Sequence, residues 1–340
     1  MTEKKHRPTM KDVANRAEVT IGTVSHVLNH TAPISSKTTK RVLEAIKELD
    51  YVPNSFARNI RSKKNRQIGL MIPNLNNNFY SRLTSHFVDM ASQNKYVVHI
   101  MGYEYSLQKE MEEMRSLMEY NVGTIVIVNG FGDEKAIREL VNRGIFVILA
   151  DRRAEIPDVS CVEYENRSTY CQLVGMLRDK GYRSIGFVCE PLHLINLRDR
   201  YEGYLMGLEK YGYEFREDFV YTSERLYLDY LKNSYLFMKD LLAAKKKEEL
   251  PEAFLFTSDL LAIGAMRAIR EKGYEIPGDF GIVGCDNLDV ADYVQPGLSS
   301  VEQNKEPICE KLWEMILTHE KGGKTGNIVL PQRIVLRESF

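Results

Sequence analysis

A chain of 340 residues with 44% apolar content is long enough for about two to three domains with sizeable cores, and no run in it approaches the roughly twenty apolar residues of a membrane span. The formal net charge of −1 hides a division: residues 1–66 carry 14 Lys and Arg against 6 Asp and Glu, while the remaining 274 carry 32 against 41. A basic arm on an acidic body suits a molecule that neutralises phosphates with one end only. The first residues are polar and lysine-rich with no hydrophobic stretch behind them, so no export signal is expected. Five scattered cysteines without metal-ligand spacing read as reduced, buried thiols of a cytoplasmic protein.

Met10, Val13, Ala14 and Ala17 follow the rhythm of a helix with one buried stripe, and after a short break at Glu18–Thr20 the rhythm restarts at Ile21, Val24, Val27 and Leu28. Two such short helices joined by so tight a turn cross steeply, as in a helix-turn-helix whose second helix lies in the DNA major groove. Thr9 and Thr20 stand where a hydroxyl caps each helix. Ser35 or Ser36 then opens a third helix to about Leu49. Pro53 suits the first turn of a further short helix to about Ser62, and the basic stretch Arg61–Arg66 reads as a linker. The expected domains are 1–50, a hinge at 51–66, and a core at 67–340.

From Gln67 short apolar runs alternate with helical patterns. Runs at 68–72, 97–101, 124–128 and 146–150 form one series; runs at 185–189, 253–257 and 280–284 form another. Strands separated by helices imply parallel sheets with right-handed crossovers, hence two doubly wound lobes. The closing segments, strands near 298–302, 328–330 and 333–336 with a helix near 305–319, are surplus to the second lobe and are expected to pass between the two. The first lobe is placed at about 67–162 and 303–326, the second at about 163–302 and 327–340.

Ligands of open α/β sheets bind beyond the carboxyl ends of the strands. There the sequence places Pro73–Tyr80, Asp151-Arg152-Arg153, Thr257-Ser258-Asp259 and Cys285-Asp286-Asn287, a set suited to a hydroxyl-rich ligand, with Asp259 read as structural at the head of a helix. Gly130-Phe131-Gly132 lacks the third glycine of a dinucleotide fingerprint and reads as a loop. No nucleophile–base pair, phosphate loop or metal set is visible, so neither an enzyme nor a cofactor is expected.

The order helix-turn-helix, YVPN hinge and two α/β lobes resembles the lactose-repressor/galactose-repressor family of bacterial transcription regulators. The matching stretches are TMKDVANRAEVTIGTVSHVLN, YVPNSFARNI, IGLMIPNLNNNFYSRL, DRYEGY, AFLFTSDLLAIGAMRAI, GIVGCDN and LPQRIVLRES. The resemblance implies an all-α DNA-binding headpiece, a periplasmic-binding-protein-like core, and a homodimer reading a near-palindromic operator. It puts Ile21, Gly22 and His26 at base-reading positions, and Thr9, Thr20, Thr23, Ser25, Asn29 and Lys37 at phosphate-side or capping ones. In the hinge, Asn54, Ala57 and Arg58 keep the family pattern, and Ile60 stands where leucine normally wedges into the minor groove. That hinge is too short to be a stable helix in water and is expected to order on DNA.

His26 replaces the family's usual arginine, and Ile21 and Gly22 replace larger or polar groups, so an operator departing from the usual half-site is expected. Glu18 replaces a turn glycine. In the core the resemblance assigns the effector pocket to Phe79, Asp151, Arg200, Ser258 and Asp286, with Asn78 and Cys285 departing from the pattern. A sugar-like effector between the lobes would shift their orientation and thereby operator affinity. Two alternatives are control by a protein partner such as a phosphocarrier, and a sugar-binding protein without a DNA role; the basic headpiece counts against the second.

Overall fold

The computed structural model describes residues 8–29, 31–51, 65–153, 156–157 and 159–340. The chain divides into two units, Met1–Asn65 and Arg66–Phe340.

In the first unit, α1 (Met10–Arg16), α2 (Ile21–Asn29) and α3 (Ser36–Glu48) surround a core of Val13, Ala14, Val24, Val27, Val42 and Ala45. Thr9 starts α1 with a capping box: its hydroxyl accepts from the Asp12 amide at 3.3 Å, and the Asp12 carboxylate accepts from the Thr9 amide at 2.8 Å. Thr20 accepts from the Thr23 amide at 3.1 Å and Ser35 from the Thr38 amide at 3.2 Å. Glu18 takes a left-handed backbone, φ +49°, at a cost of roughly 1–2 kcal/mol for a non-glycine residue. Arg41 of α3 clamps this turn, donating to the carbonyls of Ala17 at 2.6 Å and Glu18 at 3.1 Å.

The second unit holds two six-stranded sheets. The first contains β1 (Gln67–Ile72), β2 (Val97–Gly102), β3 (Thr124–Val128), β4 (Phe146–Ala150), β5 (Ser160–Tyr164) and β11 (Asn327–Leu330), ordered β11-β5-β4-β3-β1-β2 and parallel throughout. The second contains β6 (Ile185–Cys189), β7 (Val220–Thr222), β8 (Ala253–Phe256), β9 (Gly281–Cys285), β10 (Ser299–Glu302) and β12 (Arg333–Val335), ordered β12-β10-β9-β8-β6-β7. Only its edge pair β10–β12 is antiparallel. Helices cover both faces, which is why β1, β3, β4, β6, β8 and β9 are buried along their whole length. The helices that matter below are α4 (Asn78–Gln93), α5 (Leu107–Glu119), α6 (Glu134–Asn142), α7 (Asn166–Asp179), α8 (Ile195–Tyr211), α9 (Tyr230–Ala244), α10 (Asp259–Glu271), α11 (Val290–Tyr293) and α12 (Lys305–Glu320). Glycines set two helix contacts: a Cβ at Gly203 of α8 would meet the Arg167 backbone, and one at Gly264 of α10 the Leu231 backbone.

The chain passes between lobes three times, after β5, after β10 and after β11, as the surplus closing segments suggested. One boundary moves. The expected second lobe began its last piece at residue 327, but Asn327–Leu330 pairs in parallel with β5, Ile328 opposite Val162, so it belongs to the first lobe. The reason is packing: α12 buries Ile308, Leu312, Trp313 and Ile316 in the first lobe, and Leu330 closes the same core. The first transfer likewise falls after Tyr164, because β5 extends two residues beyond the expected limit. Among the described residues no helix is long and apolar enough to cross a membrane.

Candidate functional site

In the headpiece, the side of α2 turned away from the core carries Ile21 (48% exposed), Gly22 and His26. The three expected base readers therefore share one accessible face, without a covering side chain at Gly22. His26 Nδ1 lies 2.9 Å from the Thr31 hydroxyl. Thr9 and Thr20 are exposed and spend their hydroxyls on helix caps, and Lys37 is exposed in the first turn of α3. Thr23 is half-buried, its hydroxyl 3.0 Å from that of Thr20. Ser25 is 9% exposed, less than the other described residues of this set. The Asn29 side chain and Asn54, Ala57, Arg58 and Ile60 lie outside the described residues.

In the core unit, the residue directly following a strand repeatedly turns into the cleft between the lobes. Asn129 follows β3, Asp151 follows β4, Glu190 follows β6, Thr257 follows β8, Asp286 follows β9 and Gln303 follows β10, and all six line one cavity. Three of them hold left-handed backbones, Asn129 at φ +66°, Asp151 at +57° and Asp286 at +110°, a region Asn and Asp enter more readily than other side chains. Phe79 arrives from α4, Arg200 from α8 and Ser258 from the cap of α10. All five expected effector residues, Phe79, Asp151, Arg200, Ser258 and Asp286, thus line the same cleft.

A buried network holds it. Arg200 donates to Asn166 Oδ1 at 3.1 Å, to the Thr257 carbonyl at 2.6 Å and to Gln303 Oε1 at 3.0 Å. Asp151 accepts from Gln303 at 3.2 Å and from Asn196 at 3.0 Å. Ser258 donates to Asp286 at 3.3 Å and Thr257 to Glu190 at 2.6 Å. Burial pushes the Asp151 carboxyl up to about 6, with Arg200 pulling against it. Burial, reinforced by the neighbouring Asp259, holds Asp286 well above the ordinary carboxylate range, and burial also raises Glu190. Asp259 is structural as expected: its carboxylate accepts from Ser300 at 2.6 Å and from the Leu288 amide at 2.7 Å, behind the cleft wall.

Further contacts draw the lobes together. The hydroxyls of Tyr105 and Tyr230 meet at 2.5 Å, Arg82 of α4 donates to Asp289 at 2.8 Å, and Arg153 pairs with Asp199. The space left among the lining side chains is about 20 Å³, room for about one water. Sequence reasoning missed Asn129, Glu190, Asn196, Gln303, Tyr105 and Tyr230. The first two carried the signal that found Asp151, a polar residue directly after an apolar strand; the tyrosines carried none.

Residues 9–54 match the family described as bacterial regulatory proteins, lacI family, and residues 174–340 a periplasmic binding protein-like domain. The chain is 30% identical to the HTH-type transcriptional regulator RegA of Clostridium saccharobutylicum and 29% identical to catabolite control protein A of Priestia megaterium, in each case over 97% of this chain and 98% of that protein. Among solved structures, a lac repressor dimer bound to operator and the anti-inducer ONPF is similar with a TM-score of 0.83 at 23% identity, covering 98% of this chain and 99% of that one. A complex of the transcriptional regulator CelR with cellobiose has a TM-score of 0.71 at 25% identity, covering 98% and 100%. With the motif, the fold and full-length relatives in agreement, the chain belongs to the lacI family of bacterial regulatory proteins: it is a DNA-binding transcriptional regulator with an effector-binding core, and not an enzyme.

Proposed function

We propose that the protein is a cytoplasmic, homodimeric repressor of a near-palindromic operator, and that a small sugar-like effector bound between the core lobes adjusts its operator affinity. The observation carrying this is the convergence of Asp151 from one lobe with Arg200, Ser258 and Asp286 from the other, beside the Phe79 ring. Carboxylates and a guanidinium fix hydroxyls by charge-assisted bonds, while an aromatic face covers the apolar side of a sugar ring. The similar CelR structure holds cellobiose, and the similar lac repressor structure is a dimer on its operator. Each lobe also leaves apolar side chains exposed, Val97, Ile100 and Leu107 on the first and Leu228, Leu231 and Leu236 on the second, as a surface covered by a second copy would. Because about 20 Å³ is left among the lining side chains, a sugar enters only if the lobes part, with the Tyr105–Tyr230 contact among those that would break, and that opening is the motion a ligand would bias.

The same small cavity favours one second reading, control by a protein partner docking on the outside of the core, consistent with the similarity to catabolite control protein A. Fluorescence anisotropy of the full-length protein on footprinted operator fragments, with a panel of sugars and sugar derivatives, separates the two. A small molecule that shifts operator affinity supports the effector reading; a response to protein partners alone contradicts it.

A further inference from the structure

We propose that the cleft selects a small hydroxylated organic cation, of the amino-sugar class, over the neutral sugar of the same shape. The inference rests on the cleft being the effector site. Its wall carries three buried carboxylates, Asp151, Glu190 and Asp286, against a single guanidinium, Arg200. Arg200 is engaged inside the wall, with bonds to Asn166, the Thr257 carbonyl and Gln303. The charges one layer behind leave this excess in place. Lys305 acts on Asp259 and Asp286 alike, its Nζ donating to the Asp286 carbonyl at 3.0 Å and standing 5.5 Å from the Phe79 ring centre, so two cations face the four carboxyl groups Asp151, Glu190, Asp259 and Asp286. Asp199 is paired with both Arg153 and Arg167.

The hydrogen-bonding inventory has the same sign. Asn129 and Asn196 line the cleft at 1% and 3% exposure, and the Oδ1 atom of each accepts no bond from the protein. The amide orientation of Asn196 is fixed by its donation to the Asp151 carboxylate at 3.0 Å, so the atom left over is an acceptor. Asn129 is oriented in the same sense by donation to the Tyr80 hydroxyl at 2.8 Å and, more weakly, to Asp151. What enters must therefore bring donors, and an ammonium group brings three with no acceptor of its own. Phe79, Tyr80, Tyr105 and Tyr230 also belong to the lining, and aromatic rings attract a cation more than a neutral hydroxyl. A neutral sugar satisfies the two amide oxygens but does nothing for three carboxyl groups that burial disfavours as anions, whereas an ammonium group stabilises their ionised form.

Isothermal titration calorimetry of the full-length protein with glucosamine and galactosamine, each beside glucose and galactose, tests this. The expected result is at least about tenfold tighter binding of an amine than of its neutral parent, a difference Glu190→Gln reduces. Neutral sugars binding as tightly as their amines, or a preference untouched by Glu190→Gln, would overturn it. Should that variant not fold, the comparison on the unaltered protein still decides. A neutral sugar that binds and shifts operator affinity overturns this inference and keeps the effector reading; binding by neither class overturns both.

Discussion

Asp151 and Arg200 meet through one side chain: Gln303 donates to the Asp151 carboxylate at 3.2 Å and accepts from the Arg200 guanidinium at 3.0 Å. Asp151 belongs to the first lobe, Arg200 to the second, and Gln303 to the strand of chain passing from one to the other. The relative orientation of the lobes is therefore registered in the same atoms that line the cleft. A ligand that competes for either end of this bridge acts directly on the angle between lobes.

Removal of the guanidinium exposes how much depends on it. Arg200→Ala leaves Asp151 and Asp286 without the buried guanidinium that lowers both, and takes the donor from Gln303 Oε1 and the Thr257 carbonyl, while Asn166 Oδ1 keeps only Gln332. The expected cost is on the order of 3–5 kcal/mol, read as a lower urea midpoint for the core unit. A midpoint within error of the parent protein would show that the network contributes nothing to holding the fold.

Asp259 gives the pH dependence a sign. Burial raises its carboxyl from an ordinary 3.8 to about 7. Between those values the folded chain keeps a proton that the unfolded chain has lost, so this group's contribution to stability falls as pH rises from about 4 to about 7. Asp259→Asn removes the buried charge while an amide can still accept from Leu288 and bond Ser300. Its Tm is expected to exceed that of the parent by a few degrees at about pH 8, with the gap closing toward pH 5. A gap that does not change with pH, or a lower Tm throughout, would contradict this account of Asp259.

Much of the architecture was legible because parallel strands covered on both faces must be apolar without interruption. TIVIV at 124–128 and FVILA at 146–150 can be nothing else at that length between helical patterns, and both strands begin and end where the runs do. SCVEY at 160–164 escaped because a Glu and a Ser break its run; it pairs in the sheet all the same, with Glu163 half-buried. The lobe of Asn327–Leu330 was illegible because pairing partners distant in sequence leave no periodic trace. In the cleft, residues after strands were findable by position, whereas Tyr105 and Tyr230 meet only through the closure of one lobe on the other.

We propose that base reading turns on His26. With Nδ1 at 2.9 Å from the Thr31 hydroxyl, one ring nitrogen is engaged, so in this proposal Nε2 alone would meet a base, a single contact where arginine makes two. Selection from random duplexes is expected to return half-sites that differ from the common family palindrome, with an added thymine preference beside Ile21. His26→Arg should move one position in each half-site toward guanine, by roughly 1–3 kcal/mol of discrimination. An unchanged selected sequence would show that His26 reads no base.

The central claim is a division of labour: the basic headpiece grips duplex phosphates and the acidic two-lobed core senses a ligand. The most direct measurement is operator affinity against salt concentration for the full-length chain and for residues 67–340. The account predicts a linear fall of log K with log salt for the full-length chain and no operator-specific binding by the fragment. Affinity indifferent to salt, or a fragment that binds as tightly as the whole chain, would contradict it.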